Sequence, residues 1–551
     1  MGSKPDDFLP FPVKEQLPGV DYCITSPPRW AEACLLGFQH YVVCLGAIVL
    51  IANIVVPQMG GGHEEKAKLI QTILFVTAIN TLLQLYFGTR LPAVITASHT
   101  FVLPTLSIIF SRRYSYFLEP HERFIHTMRG IQGALIIASC LQIVLGFMGV
   151  WGIVIRFLSP LSAVPLVTLA GLGLFYLGFP IVASCIEVGL PEIILLVFLS
   201  QYVPYAIKGK RVIFDRFALM FAVVIVWVYA HILTASGAYK HTKPSTQYSC
   251  RTDRAFLIST APWIRVPYPL QWGSPTFDAG EAFAMMAASL VALVESTGAF
   301  IAVQRYASAT HVPPSIYSRG AGWLVITFSS GIYTPLLYQV IQSAFISYQG
   351  IGLLLDGLFG TASGSAASVE NAGLLGLTRV GSRRVIEVSA WFMFFFSILG
   401  KFGALFASIP LPIFAALYCV LFAYVAAAGL GLLQFCHLNT FRVKFILGFS
   451  LFMGLSVAQY FKEYFLIKGY GPVHTTSRSF NDIVNVIFSS PVLVGATVAY
   501  ILDCTMRHGD GDINRERGWH WWEKFRFFKG DSRSEEFYSL PYNLSKYFPS
   551  Y

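Results

Sequence analysis

Runs of about 20 apolar residues, broken by short polar or basic connectors, recur along this chain, and each is long enough to cross roughly 30 Å of hydrocarbon as a helix. Two of them, "LIQTILFVTAINTLLQLYF" (69–87) and "FALMFAVVIVWVYAHILTASGA" (217–238), contain no Lys, Arg, Asp or Glu. The pattern predicts spans near 34–56, 68–88, 94–110, 130–150, 158–178, 190–208, 217–236, 279–302, 350–363, 366–378, 385–408, 412–435, 444–461 and 485–504, fourteen in all. The expected fold class is therefore an all-α polytopic membrane protein with both termini on one side.

Two blocks depart from a plain span. Residues 89–110, "TRLPAVITASHTFVLPTLSIIF", carry Pro92 and Pro104 around a β-branched stretch, and residues 358–378, "LFGTASGSAASVENAGLLGLT", are rich in Gly, Ala and Ser. Irregular backbone at membrane depth is tolerated only where protein buries it or water lines it. They fall in the third span of the first seven and the third of the second seven. Matched interruptions of this kind point to two inverted repeats with the ligand site between them. Short β-like breaks are expected in spans 3 and 10. A further apolar segment, Leu324–Tyr348, is left out of the count, because a fifteenth span would move the basic C-terminal tail across the membrane.

Composition agrees. Of 551 residues, 55% are hydrophobic and 12% charged, against roughly 25% charged in soluble domains. The net charge of +10 reads as topology and not as a nucleic-acid surface. "KGKR" (208–211), "TRVGSRR" (378–384), "FRVK" (441–444) and "RHGDGDINRER" (507–517) all fall on the side of the termini. The positive-inside rule makes that side cytoplasmic. One basic loop, 111–129, dissents. The N-terminus lacks the apolar core of a signal peptide, and Asp6 stands where myristoylation needs Ser or Thr. Nine scattered cysteines without a CxxC pair predict neither a disulfide framework nor a zinc site.

Ionisable residues inside a membrane are functional candidates because burial costs about 3 kcal/mol on insertion scales. Glu295, Asp356 and Glu370 qualify, with Glu387 near a boundary beside the basic cluster. Such acids also pair structurally across a bundle, an even alternative for Asp356. Glu295 is followed by Ser296, Thr297 and Gly298, which permit close backbone approach, and Glu370 lies in the broken element. Carboxylate oxygens accept hydrogen bonds while unpaired main-chain N–H groups donate them, which suits a planar, uncharged ligand; a cation would fit the same groups. Gln39–His40 and His99–Thr100 are further polar points, with His40 read as a structural partner. No Ser/His/Asp set, metal cluster or phosphate loop appears, so an enzyme is not expected.

"ENAGLLGLTR" (370–379) resembles the signature of the nucleobase–ascorbate transporter family. That signature runs Gln, Glu or Pro, then Asn, any residue, Gly, four of any kind, Thr, and Arg, Lys or Gly. "QH" (39–40), "EST" (295–297) and "DG" (356–357) are similar to further family landmarks in the same order, and the likeness covers essentially the whole chain, closest to the plant branch near leaf permease. The resemblance implies fourteen spans as two inverted seven-span repeats. Core segments would be 31–157 and 279–408, and gate segments 158–236 and 409–504. The cytoplasmic segments would be 1–30 and 505–551, with an extracellular loop at 237–278.

The resemblance also implies a homodimer in the lipid bilayer and no cofactor, with H+ as coupling ion and Na+ as an alternative. Glu295 and Glu370 would hold the base by side chain, and the backbone at His99 and Val369 would complete the site. Asn371, Gly373, Thr378 and Arg379 would set selectivity, and Asp356, Gln39 and His40 would serve structure or coupling. Glu370, where ascorbate carriers have Pro, favours a nucleobase such as xanthine, urate, adenine, guanine or uracil taken up at the plasma membrane. Three departures stand out. Ala299 replaces a usual Asp or His, and His99 a usual aromatic. Relatives run from Trp323 almost directly to Gln349, so residues 324–348 read as a retained intron or gene-model error, with a true insertion as the alternative. The alternatives are an anion exchanger of the same architecture, which two acids in the site disfavour, and an altered, non-transporting member.

Overall fold

The computed structural model describes residues 17, 19–147, 150–206, 211–253, 261–314, 316, 348–473, 475–506, 517–522 and 532–541. The first apolar run forms α1 (Trp30–Met59), which Gly60 ends at φ 91° with its N–H on the Pro57 carbonyl, 3.1 Å away. That left-handed turn suits glycine, and a Cβ there would also stand 2.8 Å from the Pro120 carbonyl oxygen. Helix α2 (His63–Tyr86) begins where Glu65 reaches back to the Gly62 N–H at 2.9 Å.

The chain continues through β1 (Ile95–Ala97), α3 (Val102–Ile109), α4 (Pro120–Phe147), α5 (Pro160–Leu172), α6 (Ile186–Val197), α7 (Arg211–Ala235) and α8 (Ala279–Tyr306). It then forms α9 (Tyr348–Phe359), β2 (Ser365–Ala367), α10 (Val369–Thr378), α11 (Arg383–Ile398), α12 (Leu411–Gly431), α13 (Phe441–Lys468) and α14 (Pro491–Thr505). The protein is mostly helical, and the two strands pair antiparallel in the register Ile95↔Ala367, Thr96↔Ala366, Ala97↔Ser365.

Burial sorts the helices. In the most apolar window of α1, α2 and α8, 78% of residues are buried, against 33% in α7 and α13. The outward face of α7 instead exposes Val224, Ile225, Val228 and Ile232. Exposed aliphatic stripes on otherwise apolar helices are what a hydrocarbon solvent requires. Among the described residues, eight helical stretches are long and apolar enough to cross a membrane, nine if the pair Ser479–Phe488 and Pro491–Thr505, bent by 78°, counts as one.

The count differs from the expected fourteen for identifiable reasons. At 1.5 Å of rise per residue, the 8 residues of α3, the 12 of α9 and the 10 of α10 each reach about half a bilayer or less. The predicted span 385–408 breaks at Leu399, between α11 and a short helix at Gly400–Ala407. In the other direction, Pro160–Ala206 is a single 47-residue apolar stretch. It is interrupted by 3-10 turns at Phe175–Leu177, at the end of the first span predicted there, and at Ala183–Cys185, between that span and the next. The segment 324–347 lies outside the described residues, and Tyr348 opens α9.

Against the sequence expectation, Cys185 and Cys250 form a disulfide, their Cα atoms 5.4 Å apart across 65 residues of chain. Spacing along the sequence gave no sign of it because the fold brings together the turn before α6 and the short helix Pro244–Cys250.

Close packing fixes α10 against α12. A Cβ added to Gly373 would lie 2.2 Å from the Leu421 carbonyl oxygen, and that oxygen belongs to a helix backbone that cannot swing aside. Gly373→Ala is therefore expected to destabilise the protein by about 1–3 kcal/mol, the usual range for overpacking. The check is the melting temperature of purified protein beside Gly431→Ala, whose Cβ would meet nothing within 4 Å. Equal melting temperatures for the two variants would contradict the packing argument.

Candidate functional site

The two interrupted elements are built alike. Ser98 follows β1 and its hydroxyl accepts from the Thr100 N–H at 3.2 Å; Ser368 follows β2 and accepts from the Asn371 N–H at 3.2 Å. The pairing continues past the strands reciprocally, with Ser98 N–H on the Gly364 carbonyl (3.0 Å) and Ser368 N–H on the Val94 carbonyl (2.9 Å). Each helical segment thus starts immediately after a strand, His99 on one side and Val369 on the other. A helix start leaves N–H groups without intrahelical partners and carries a partial positive charge.

A cavity of about 460 Å³ opens here, lined by His99, Thr100, Val369, Glu295, Tyr176 and Lys462 among others. Its size lies within the 300–1,000 Å³ usual for small-molecule sites. Glu295, midway along α8, receives the hydroxyl of Thr100 and, at 2.9 Å, that of Ser490. Ser490 also caps α14 through the Leu493 N–H at 3.3 Å. The Nε2 of His99 is buried and has no hydrogen-bond partner among the described residues.

Glu370 stands apart from this cavity. It is 4% exposed, and its carboxylate takes the Ser368 hydroxyl at 2.8 Å. The structure therefore gathers three predicted residues, Glu295, His99 and Val369, around one space and places Glu370 just behind Val369.

The remaining predicted residues build the frame. His40 Nδ1 and Asn371 Oδ1 are 2.8 Å apart, while Asn371 Nδ2 donates to Ser368 Oγ at 2.9 Å, so α1 steadies the residue that caps α10. Asp356 accepts from the hydroxyls of Ser365 and Thr361, tying α9 to β2. Gln39 donates to the Arg216 carbonyl at 3.0 Å, and Thr378 donates to Leu374 one turn back at 2.8 Å. Arg379 ends α10 in the left-handed conformation at φ 58° and faces Asp215 at 3.7 Å. Glu387 receives the Tyr86 hydroxyl at the surface.

Lys462 and Glu192 are among the ionisable residues of apolar helices that the sequence reading passed over. Lys462 fell one residue past the predicted span 444–461, but α13 runs to Lys468 and puts it in the cavity wall. Glu192 sat two residues inside the predicted span 190–208; it is fully buried in α6, and neither carboxylate oxygen has a hydrogen-bond partner among the described residues. The signal for Lys462 was available in "QYFKEYF" (459–465), where an aromatic stripe continues past the charge.

His40→Phe is expected to strand the Asn371 amide oxygen and lower stability by about 1–3 kcal/mol. A double-mutant cycle with Asn371→Leu, read by thermal denaturation, should show coupling of about 0.5–3 kcal/mol. Additive effects would mean that the contact contributes nothing.

Comparison with known proteins identifies the family. Residues 31–322 and 343–463 match the sequence profile of a permease family. Nucleobase-ascorbate transporter 6 of Arabidopsis thaliana is 64% identical over 547 residues, covering 99% of this chain and 98% of its own. Nucleobase-ascorbate transporter LPE1 of Zea mays is 57% identical over 547 residues, covering 99% of each chain. Among solved structures, the murine Solute Carrier 26 family member A9 anion transporter is 11% identical over 86% of this chain and 68% of its own, at a TM-score of 0.38. That likeness is too loose to carry an argument. At such identity over nearly the full length, the chain belongs to the nucleobase–ascorbate transporter family of plants, and it is a membrane transporter and not an enzyme.

Proposed function

We propose that this protein is a secondary carrier that brings nucleobases (xanthine, urate, adenine, guanine or uracil) into the cell by proton symport across the plasma membrane. The observation that carries this reading is the placing of Glu295, an acceptor held by Thr100 and Ser490, in one cavity with the two helix starts at His99 and Val369. Acceptor oxygens opposite main-chain donors match the alternating edge of a base. Glu370 would join the site when Val369 and its helix shift. The coupling proton would reside on a carboxylate that exchanges water for protein contacts as the carrier cycles, with no bound metal required.

In the same reading, the chain crosses the membrane fourteen times as two inverted repeats and pairs as a homodimer. Core segments 31–157 and 279–408 carry the base past gate segments 158–236 and 409–504. Both termini are cytoplasmic, and segment 237–278 is extracellular. The Cys185–Cys250 disulfide supports the extracellular placing, since such bonds persist in oxidising compartments.

A second reading, an altered copy that does not transport, is favoured by one observation: the family match passes over residues 323–342, most of the segment read as a retained intron. Transcript reads across codons 323–349 decide between an intron and a true insertion.

The test of the leading reading is uptake of labelled base in a transporter-null yeast expressing the chain with and without residues 324–348. Uptake is expected to collapse with a protonophore. Glu295→Gln and Glu370→Ala should each cut initial rates by at least about tenfold, as loss of a charge-assisted hydrogen bond does. Undiminished uptake in both variants, with protein at the surface, would overturn the site; Na+-dependent uptake that survives the protonophore would overturn the coupling.

A further inference from the structure

Lys462 lies on α13 and lines the cavity. Its ammonium sits 4.1 Å from the centre of the Tyr176 ring, and Glu295 and His99 line the same cavity. A cation held over an aromatic face, rather than locked in a short ion pair, keeps N–H donors free to turn to a ligand.

The other charges around it do not cancel that role. Glu295 already receives the Thr100 and Ser490 hydroxyls. Glu463 also borders the cavity but is exposed and takes the Gln459 amide at 2.5 Å. His99 presents a buried Nε2 with no hydrogen-bond partner among the described residues. The cavity is thus polarised, with an acceptor carboxylate on α8 and a donor-only ammonium on α13.

Resting on the nucleobase reading above, we propose that Lys462 is a specificity-determining residue. It donates to a ring carbonyl of the ligand while Glu295 accepts a ring N–H, selecting oxo-substituted bases over their amino-substituted counterparts. The chemistry is that of a donor with no acceptor capacity. A carbonyl oxygen turned toward the ammonium gains a charge-assisted hydrogen bond, whereas an exocyclic amino group there sets donor against donor. A dielectric below that of bulk water in a partly buried cavity enlarges the difference.

The test uses hypoxanthine and adenine, which share a ring system and differ at C6 in an oxo against an amino group. Binding to purified full-length protein is read by titration and uptake by competition, for wild type, Lys462→Met and Lys462→Arg. Wild type is expected to prefer hypoxanthine by roughly tenfold. Lys462→Met should bring the ratio near one chiefly by weakening hypoxanthine, and Lys462→Arg should retain the preference. An unchanged ratio in Lys462→Met overturns the assignment while leaving the carrier reading intact, as does a wild type that binds both bases equally. Wild-type protein that binds neither base overturns both. If Lys462→Met does not fold, loss of the preference in Lys462→Arg decides against the ammonium as a simple donor, and its retention decides for it.

Discussion

Backbone that leaves a helix at membrane depth has to find its hydrogen bonds within the protein, since hydrocarbon offers none. Here the solution is mutual: residues 94–98 and 364–368 satisfy one another as an antiparallel pair extended by one bond at each end. Neither segment has this option alone. Everything at the site depends on that pairing, because two helical segments start from it and it fixes where their first N–H groups lie. Asn80, Ser365 and Asp356 then tie the strand pair to α2 and α9, with Asn80 Nδ2 3.0 Å from Ser365 Oγ.

Glu295 is where the cavity's walls meet. Through Thr100 it touches the segment after β1, and through Ser490 it touches the cap of α14. Three elements that are distant in sequence are thus joined at one carboxylate. A second junction, His40 with Asn371, links α1 to the start of α10. The N-terminal segment adds a third tie by bonding Asp21 N–H to the Arg379 carbonyl and Ile24 N–H to that of Ala307, each at 3.0 Å. The end of α10 is therefore held as firmly as its beginning.

Much of this was legible in the residues. Charge-free runs placed the long helices, and Pro92, Pro104 and the Gly/Ala/Ser stretch after Leu358 marked the two breaks. What sequence could not supply was tertiary. The Cys185–Cys250 bond joins residues that only the folded chain brings together. Glu370 looked equivalent to Glu295, yet a single residue of offset from Val369 turns its carboxylate into the Ser368 cap. Lys462 was lost to a predicted boundary that the helix overruns by seven residues, to Lys468, because a charged side chain on an aromatic stripe resembles a helix end. The shortness of α3, α9 and α10 was also hidden, because hydropathy records greasiness and not length.

The matching caps have a consequence for how such a site can change. Ser98 and Ser368 hold the frame through their own hydroxyls and through backbone, so the following side chains, His99 and Thr100 on one arm and Val369 and Glu370 on the other, carry none of the strand pairing. Thr100 and Glu370 are bonded to the capping serines, whereas His99 and Val369 line the cavity without such a bond. Exchange at those two places would change the wall of the cavity while the strand pairing that presents it stays as it is.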